Sequence, residues 1–599
     1  MDNPAVGEIR KNDEAMRRAE GLASAGLLEA AAQIYTDLLV VDGDDAEALF
    51  RLGTTIGKLN RPDLELSLIG QAIARRPNEV RYHEGFAGAF ERTGDLEDAV
   101  TSYEEADRLA PGTYTNRIRR IMGVMALKQG RPSEASDKLL AYLREEPRDA
   151  EALFLLGAAL QEQDLLDPAV ACYRQALDLR PVFYEARTNL GLALLAQGHA
   201  PEALRHLEEA LILAPERPGG LLNRGNARRE LGDLEGARRD YQAAVKADPE
   251  FAEAWSSLAN LYHDLEEWSL ALDAHRWAVE LRPELAQARW NRAFTLMASG
   301  QWGEGWDEYE WRWRTKASAA EDRMLPYPRW AGEPLGGRRI LVWRDQGLGD
   351  ELLFATCLGD LVTQGATVTA SVSPRLVSLF RRSFPGIEVV PNGDAHALDG
   401  RSFDYHSALG SLPRWLRRDR ASFRGDGAYL VPDPNLRAKW AARLGTLGSG
   451  RKVGICWRSG LLTPDRLRHY PPAEAWHSLL TIPGIEWISL QYDDCEAELV
   501  AWEKVTGIRV HRWPGEDLKN DLESVVALIA CLDAVVTAPT AVSSLAGAVG
   551  APTYQVDSGS DWTAGGEARS PWFKTLQLAS KHPGEGWEAA IDRAKVLLG

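Results

Sequence analysis

The sequence predicts an α-helical solenoid followed by an α/β region of two doubly wound units. Three observations carry this. Prolines recur at Pro77, Pro111, Pro147, Pro181, Pro215, Pro249 and Pro283, every 34 residues except for one step of 36. Small residues keep the same register, as Gly157, Gly191, Gly225, Ala259 and Ala293, as Ala169, Ala203, Ala237 and Ala271, and as Ala176, Ala210, Ala244 and Ala278. From about residue 338 the helical period gives way to short β-rich runs that alternate with helical stretches, the pattern of parallel sheets.

Composition narrows the function classes. The 599 residues make room for several cores, roughly four folding units at the usual domain size. Lys plus Arg is 69 and Asp plus Glu is 87, a net charge of −18 that argues against nucleic acid as a partner. No run of apolar residues is long enough to span a membrane. The first twenty residues lack the apolar core of an export signal. Cys172, Cys357, Cys456, Cys495 and Cys531 form no CxxC pair and sit in apolar runs, as reduced, buried thiols do. The expected location is the cytoplasm.

The elements follow in order. Residues 1–14 are an N-terminal extension and residues 15–316 hold about nine helix-pair units, the first two degenerate. A 34-residue unit with Gly or Ala at these columns and a closing proline resembles the tetratricopeptide repeat, which buries its face only by stacking. Trp302, Trp306, Trp311 and Trp313 mark the last unit as a cap whose indoles serve a core or a domain junction. The repeats also carry polar columns: Asn189, Asn223, Ser257 and Asn291, and beside them Asn226 and Asn260. An amide both donates and accepts, so a row of them on the concave face can hold an extended peptide without reading its side chains. The alternative is hydrogen bonding within the repeat.

Residues 317–337, rich in Pro, Gly and Ala, form a linker. The first α/β unit spans 338–435, with strands expected at 340–344, 367–372, 387–391 and 403–409. The second spans 436–599, with strands at 452–458, 486–492, 508–513 and 534–538 and a final helix. Repeats and α/β region are expected to fold independently, so that a fragment beginning at 317 stands alone. Ligands of open α/β sheets bind beyond the carboxyl ends of the strands. The first such loop is QGLGDELLFA (346–355), where Gly347 and Gly349 permit positive φ and Asp350 opens a helix expected near Glu351. Asp350 there is a base or merely a helix cap. The loop is neither a dinucleotide fingerprint nor a Walker loop.

ILVWRDQGLGDELLFATCL, FDYHSALGSLP, VGICWRSG, WISLQY and ALIACLDAVVTAPTAVSSLAGAVGAPT, in this order, resemble the catalytic part of bacterial repeat-containing glycosyltransferases. These are akin to family 9 heptosyltransferases and the O-GlcNAc transferase group, and the likeness is nearest to enzymes that modify flagellin. The resemblance implies a metal-independent GT-B fold of two Rossmann-like units with a nucleotide-sugar cosubstrate and no resident cofactor. It implies a protein acceptor, flagellin, on the concave face of the repeats, and transfer of a sugar to Ser or Thr from a CMP-nonulosonic acid. By motif, Asp350 is the general base, which an acceptor hydroxyl needs when it attacks an anomeric carbon. His406 in FDYHSAL assists it, contacts the donor phosphate or serves the structure. The donor side comprises Gly347, Gly349, Arg458, Ser459, Gly460, Arg466, Arg468, Gln491, Thr540 and Ala541, with arginines and a helix N-terminus facing the departing phosphate. The acceptor side comprises Asn189, Asn223, Asn226, Asn260 and Asn291.

One segment departs from the family pattern: Pro539 stands where an Asp is expected and Ser544 where a His is. This implies a different activated sugar or weakened catalysis. Asp493 and Asp494 superficially form a metal motif, but acidic residues at a helix start explain them. Two other readings stay open: a scaffold with an inactive transferase domain, and a heptosyltransferase-like enzyme of lipopolysaccharide assembly.

Overall fold

The computed structural model describes residues 4–316, 318–394, 396–423, 428–460 and 469–599. They gather into two compact units, Met1–Gly232 and Asp233–Gly599. The division falls inside the repeat array.

The first unit is helical throughout, from Pro4–Ser24 and Leu28–Val41 to Ala200–Leu213 and Pro218–Glu230. The glycine column exists because paired helices touch there. A Cβ on Gly157 would stand 2.6 Å from the Tyr173 ring, and one on Gly191 would stand 2.7 Å from Leu207. Ala169, Ala176, Ala203 and Ala210 are wholly buried at the same crossings. A further column governs the turn inside each pair: Asn60, Gly94, Gly130, Asp164, Gly198 and Gly232 all have positive φ. Glycine, asparagine and aspartate tolerate this conformation best, which is why they alternate there. The period-closing prolines have a recurrent partner six residues on, since a His83 ring nitrogen meets the Pro77 carbonyl at 2.7 Å and Arg187 Nη2 donates to that of Pro181 at 3.0 Å.

The second unit opens with the helices Leu234–Ala247, Ala252–Asp264, Trp268–Leu281, Ala286–Ala298 and Trp302–Tyr309, then a short 3-10 turn, Glu310–Arg314. The same devices continue: Trp255 and Arg289 donate to the carbonyls of Pro249 and Pro283 at 3.0 and 2.9 Å. Glu266 and Gly300 occupy the left-handed turn position. Glu266 is the costly member of that column, and its carboxylate lies 3.3 Å from His582 Nδ1 near the end of the α/β region.

Two parallel sheets follow. The first contains β1 (Arg339–Trp343), β2 (Thr367–Val372), β3 (Glu388–Pro391) and β4 (Tyr405–Ala408), in the order β3-β2-β1-β4. The second contains β5 (Arg451–Cys456), β6 (Ile485–Ser489), β7 (Val510–His511), β8 (Ala534–Thr537), β9 (Thr553–Asp557) and β10 (Leu576–Ser580), in the order β10-β9-β8-β5-β6-β7. The sequence reading has no counterpart for β9 and β10, and it makes β7 longer than the two residues that pair. The helix Trp587–Leu598 closes the chain.

On the first sheet, Ile340, Val342, Val368, Ala370 and Val372 share a core with Leu358, Leu361, Leu376 and Phe380 of the intervening helices. The opposite face, with Trp343 and His406, is covered by Trp313 and Arg323 of the segment after the repeats. That segment also closes the sheet edge: His406 N donates to Pro328 O at 3.0 Å and Trp330 N to His406 O at 2.8 Å. Within the expected linker, residues 328–330 are therefore an edge cover, a device that protects open strands. Of the cysteines, Cys357 and Cys456 are buried, whereas Cys172, Cys495 and Cys531 are half-buried, and all are free thiols.

One apolar core runs from Ala293 and Met297 through Trp302, Trp306 and Tyr309 to both sheets, ending at Phe573 and Leu578. Trp306 is wholly buried, meets Phe354 and Trp572 edge-on, each at 6.1 Å, and donates to Arg417 O at 3.0 Å. Trp302 and Trp306 thus serve as junction residues. The expectation of independent folding meets a physical obstacle here, because a fragment beginning at 317 would lack Trp302, Trp306, Tyr309 and Arg312.

Arg312 is 1% exposed and sits between the rings of Tyr309 and Trp313, at 4.6 and 4.1 Å. It donates to Asp345 Oδ2 at 2.9 Å, Glu310 Oε1 at 2.5 Å and Ser411 Oγ at 2.8 Å. Removing one partner of such a buried pair typically costs about 3–5 kcal/mol, because the other charge is left without compensation. Arg312→Met should therefore destabilise the second unit by about that amount in urea unfolding, and the double variant Arg312→Met, Asp345→Asn should recover much of the loss. Additive single effects would contradict this reading.

Candidate functional site

The loop after β1 leads directly into the helix Leu348–Phe354, whose N-cap is Gly347. Asp350 is the third residue of that helix. The cap position expected for it belongs to Gly347, which has φ −64°. Neither Gly347 nor Gly349 is among the positive-φ residues. Gly349 instead marks a close approach, since a Cβ there would make ordinary contact with the next helix, 3.6 Å from Ala541 Cα and 3.9 Å from Ala541 N. Asp350 is half-buried, and Oδ2 lies 3.5 Å from the corresponding point on Gly347. Burial raises the Tyr309 hydroxyl pKa, and the charge of Asp350 adds to that rise.

The rest of the loop is clamped. Asp345 Oδ1 accepts from Gly410 N at 2.9 Å while Oδ2 takes Arg312. Gln346 Nε2 donates to the Tyr309 hydroxyl. Glu351, 2% exposed, accepts from Ser373 N at 2.7 Å and from Arg344 Nε at 3.1 Å. Burial raises its pKa, against the pull of Ser373 and Arg344.

Ala541 begins the helix Ala541–Val549, capped by Thr540, whose Oγ1 accepts from Val542 N at 3.2 Å. Thr540 Oγ1 also lies 3.7 Å from the buried Cys456 Sγ, whose thiol burial pushes up to about 12. The N-terminal parts of the two helices, at Gly349 and Ala541, therefore face one another, one from each sheet.

The remaining predicted residues fall differently. His406 is 2% exposed and its Nδ1 accepts from Trp343 Nε1 at 3.1 Å, so the imidazole presents a bare nitrogen to an indole. Burial, then Arg329, lowers its pKa, as suits a neutral ring supporting the sheet. Arg458 is committed to carboxylates: Nε donates to Glu498 Oε1 at 2.9 Å, Nη2 to Glu498 Oε2 at 2.5 Å, and Nη1 to Asp493. Its guanidinium is held by Glu498 first and Asp493 second, which raise its pKa. Ser459 is buried, and Gly460 N donates to the Tyr492 hydroxyl at 3.2 Å. Gln491, 4% exposed, ties the ends of β5 and β6 together, accepting from Trp457 N at 3.2 Å and donating to Arg458 O at 2.8 Å. Arg466 and Arg468 lie outside the described residues.

On the repeats, Asn189, Asn223 and Asn226 of the first unit are half-buried on first helices of their pairs. Asn189 Nδ2 is 3.5 Å from the Tyr173 hydroxyl. In the second unit Asn260 and Asn291 are likewise half-buried, and Asn291 Oδ1 accepts from Gln287 Nε2 at 2.8 Å. Among the described residues no cluster of His, Cys, Asp and Glu has the arrangement of a metal site, and no helix is long and apolar enough to cross a membrane.

Sequence reasoning missed Arg312, Asp345 and Ser411. It also missed Asp557, at the end of β9. The one available signal was an arginine flanked by tryptophans in EWRWR (310–314).

Comparison with known proteins places tetratricopeptide repeats at residues 57–113, 122–171 and 158–218, and a TPR repeat at 225–266. The chain is 35% identical over 302 residues to protein FlbA of Caulobacter vibrioides, covering 48% of this chain and 50% of FlbA. It is 25% identical over 183 residues to a probable UDP-N-acetylglucosamine–peptide N-acetylglucosaminyltransferase SPINDLY of Hordeum vulgare, covering 30% of this chain and 19% of that one. The matched region thus spans half or less of either relative. Among solved structures, a chain of the APC/C hetero-tetramer Cut9-Hcn1 aligns over 48% of this chain and 56% of its own, with 16% identity and a TM-score of 0.34. The TPR protein YrrB aligns over 32% of this chain and 97% of its own, with 19% identity and a TM-score of 0.27. The chain is a repeat protein whose helical array precedes two parallel sheets.

Asp557 offers a pH test. Burial, and then the charge of Asp561, raise its carboxyl to about 7. The native chain therefore holds a proton that the unfolded chain releases near the ordinary aspartate value. That contribution to stability is full in acid and is lost as pH rises through about 7. Between pH 5 and 8 the melting temperature of wild type should fall relative to that of Asp557→Asn; parallel curves would contradict the assignment.

Proposed function

We propose that the chain is a glycosyltransferase that moves a sugar from a nucleotide-sugar to a Ser or Thr hydroxyl of a protein held by its repeats. The observation that carries this is the approach of Gly349 to Ala541, which sets a carboxylate, Asp350, beside a capped helix N-terminus. Free N–H groups at such a terminus bind phosphate. A half-buried carboxylate next to it can receive the proton of an attacking hydroxyl. In the step, the acceptor oxygen bonds to the anomeric carbon, the bond from that carbon to the phosphate oxygen breaks, and the phosphate leaves with the electron pair. The hydroxyl proton goes to Asp350.

The similarity to SPINDLY supports the class of reaction. The two sheets belong to a GT-B arrangement in this reading, the asparagines of the first helices hold the acceptor backbone, and a CMP-nonulosonic acid donor with flagellin as acceptor follows from the sequence resemblance. Arg458 acts indirectly, fixing the loops after β5 and β6 through Asp493 and Glu498.

A scaffold with an inactive transferase region is favoured by a different observation: Pro539 replaces the expected acid, and Arg458 is already ion-paired. Nucleotide binding separates the two, since the scaffold needs none.

Intact-mass analysis of purified chain, candidate flagellin and CMP- or UDP-sugars should show addition of one sugar mass per modified site. Asp350→Asn should lower turnover by ~10²–10⁴-fold and leave donor affinity nearly unchanged. Wild-type turnover in Asp350→Asn would remove it from the chemistry, and no mass addition with any donor would favour the scaffold.

A further inference from the structure

The carboxyl edge of the first sheet carries more positive charge than its structure uses. Arg344 follows β1, and its Nε is spent on the buried Glu351 while Nη2 donates to Gln346 O at 2.6 Å. Arg375 follows β2 and donates to Lys519 O at 2.9 Å. Arg323 reaches in from the segment that covers the sheet, lies 5.2 Å from the centre of the Trp343 ring and donates to Asn392 Oδ1, just past β3. Among the described residues, the contacts of Arg323 are thus a neutral amide oxygen and an indole face. Arg344 and Arg375 stand about the buried carboxylate of Glu351, and Arg323 stands beside Arg344.

Burial, and then the nearby charge of Arg344, lower the Arg323 pKa. A half-buried cation beside a like charge is a cost that a bound anion removes. Open α/β sheets receive their ligands at this edge, and the guanidinium fork matches a planar carboxylate. We infer that Arg323 and Arg344 form a subsite for a carboxylate carried by one of the two molecules that react at Asp350. This rests on the glycosyl-transfer reading, in which phosphate already belongs to the Thr540 helix. The anion at the first sheet is then a second one: the ring carboxylate of a sugar acid, or an acidic side chain flanking the acceptor hydroxyl. Arg323 is the residue free to answer it, since Arg344 also holds Glu351.

The full-length chain tests this by ligand-observed NMR with two probe pairs. One pair is N-acetylneuraminate and its methyl ester; the other is an acetylated Glu-Ser-Glu tripeptide and its Gln-Ser-Gln counterpart. In one arm the charged member should bind about tenfold more tightly than the neutral one, as a guanidinium–carboxylate bond warrants. Arg323→Gln should abolish that difference and Arg323→Lys should keep part of it. The arm that responds identifies the source of the carboxylate. No charge preference in either arm, or a preference that survives in Arg323→Gln with an unchanged melting temperature, overturns the subsite. CMP and UDP binding measured on the same proteins scores the glycosyl-transfer reading separately: wild type that binds neither nucleotide counts against that reading whatever the carboxylate probes show.

Discussion

The guanidinium of Arg312 joins three parts of the second unit that are far apart in sequence. It leaves the last repeat, takes Asp345 from the loop after β1, and takes Ser411 from the turn after β4. Burial opposes its charge, but Glu310 and Asp345 raise its pKa, and aromatic rings on both faces add cation–π attraction. Asp345 in turn takes the Gly410 amide. The position of the Asp350 helix follows from this cation, because the loop that starts the helix cannot move without uncovering a buried ion pair.

The aromatic junction has the same consequence. Phe294 of the last repeat, Trp306 and Tyr309 of the cap, and Phe354 at the end of the Asp350 helix all surround Trp562, from the segment after β9. The final repeats are thus part of the wall that supports the Asp350 helix. The repeats from Asp233 onward and the two sheets belong to one compact unit, the one that holds the Asp350 helix.

Much of the fold was legible in the sequence for a physical reason: stacking forces the same residue type at each period. Gly157 and Gly191 are small because Tyr173 and Leu207 leave no room for a Cβ. The left-handed turn column from Asn60 to Gly300 was equally available, and Glu266 departs from it where its side chain meets His582. Strands β9 and β10 escaped because TYQVD (553–557) and LQLAS (576–580) mix polar residues into short runs and are separated by a long irregular stretch. The site was less legible. Sequence motifs located Thr540 and the Asp350 loop, yet the commitment of Arg458 to Asp493 and Glu498, and of His406 to Trp343, depends on residues distant in sequence. No local pattern reports such pairings.

The proposed chemistry lies where the Asp350 helix meets the helix that begins at Ala541. A crystal structure of the full chain with a bound, non-transferable nucleotide-sugar analogue tests that placement most directly. Phosphate oxygens should lie within hydrogen-bond distance of the amides following Thr540, with the anomeric carbon turned toward the Asp350 carboxylate. A nucleotide bound away from the Thr540 helix, or a sugar directed away from Asp350, would contradict it.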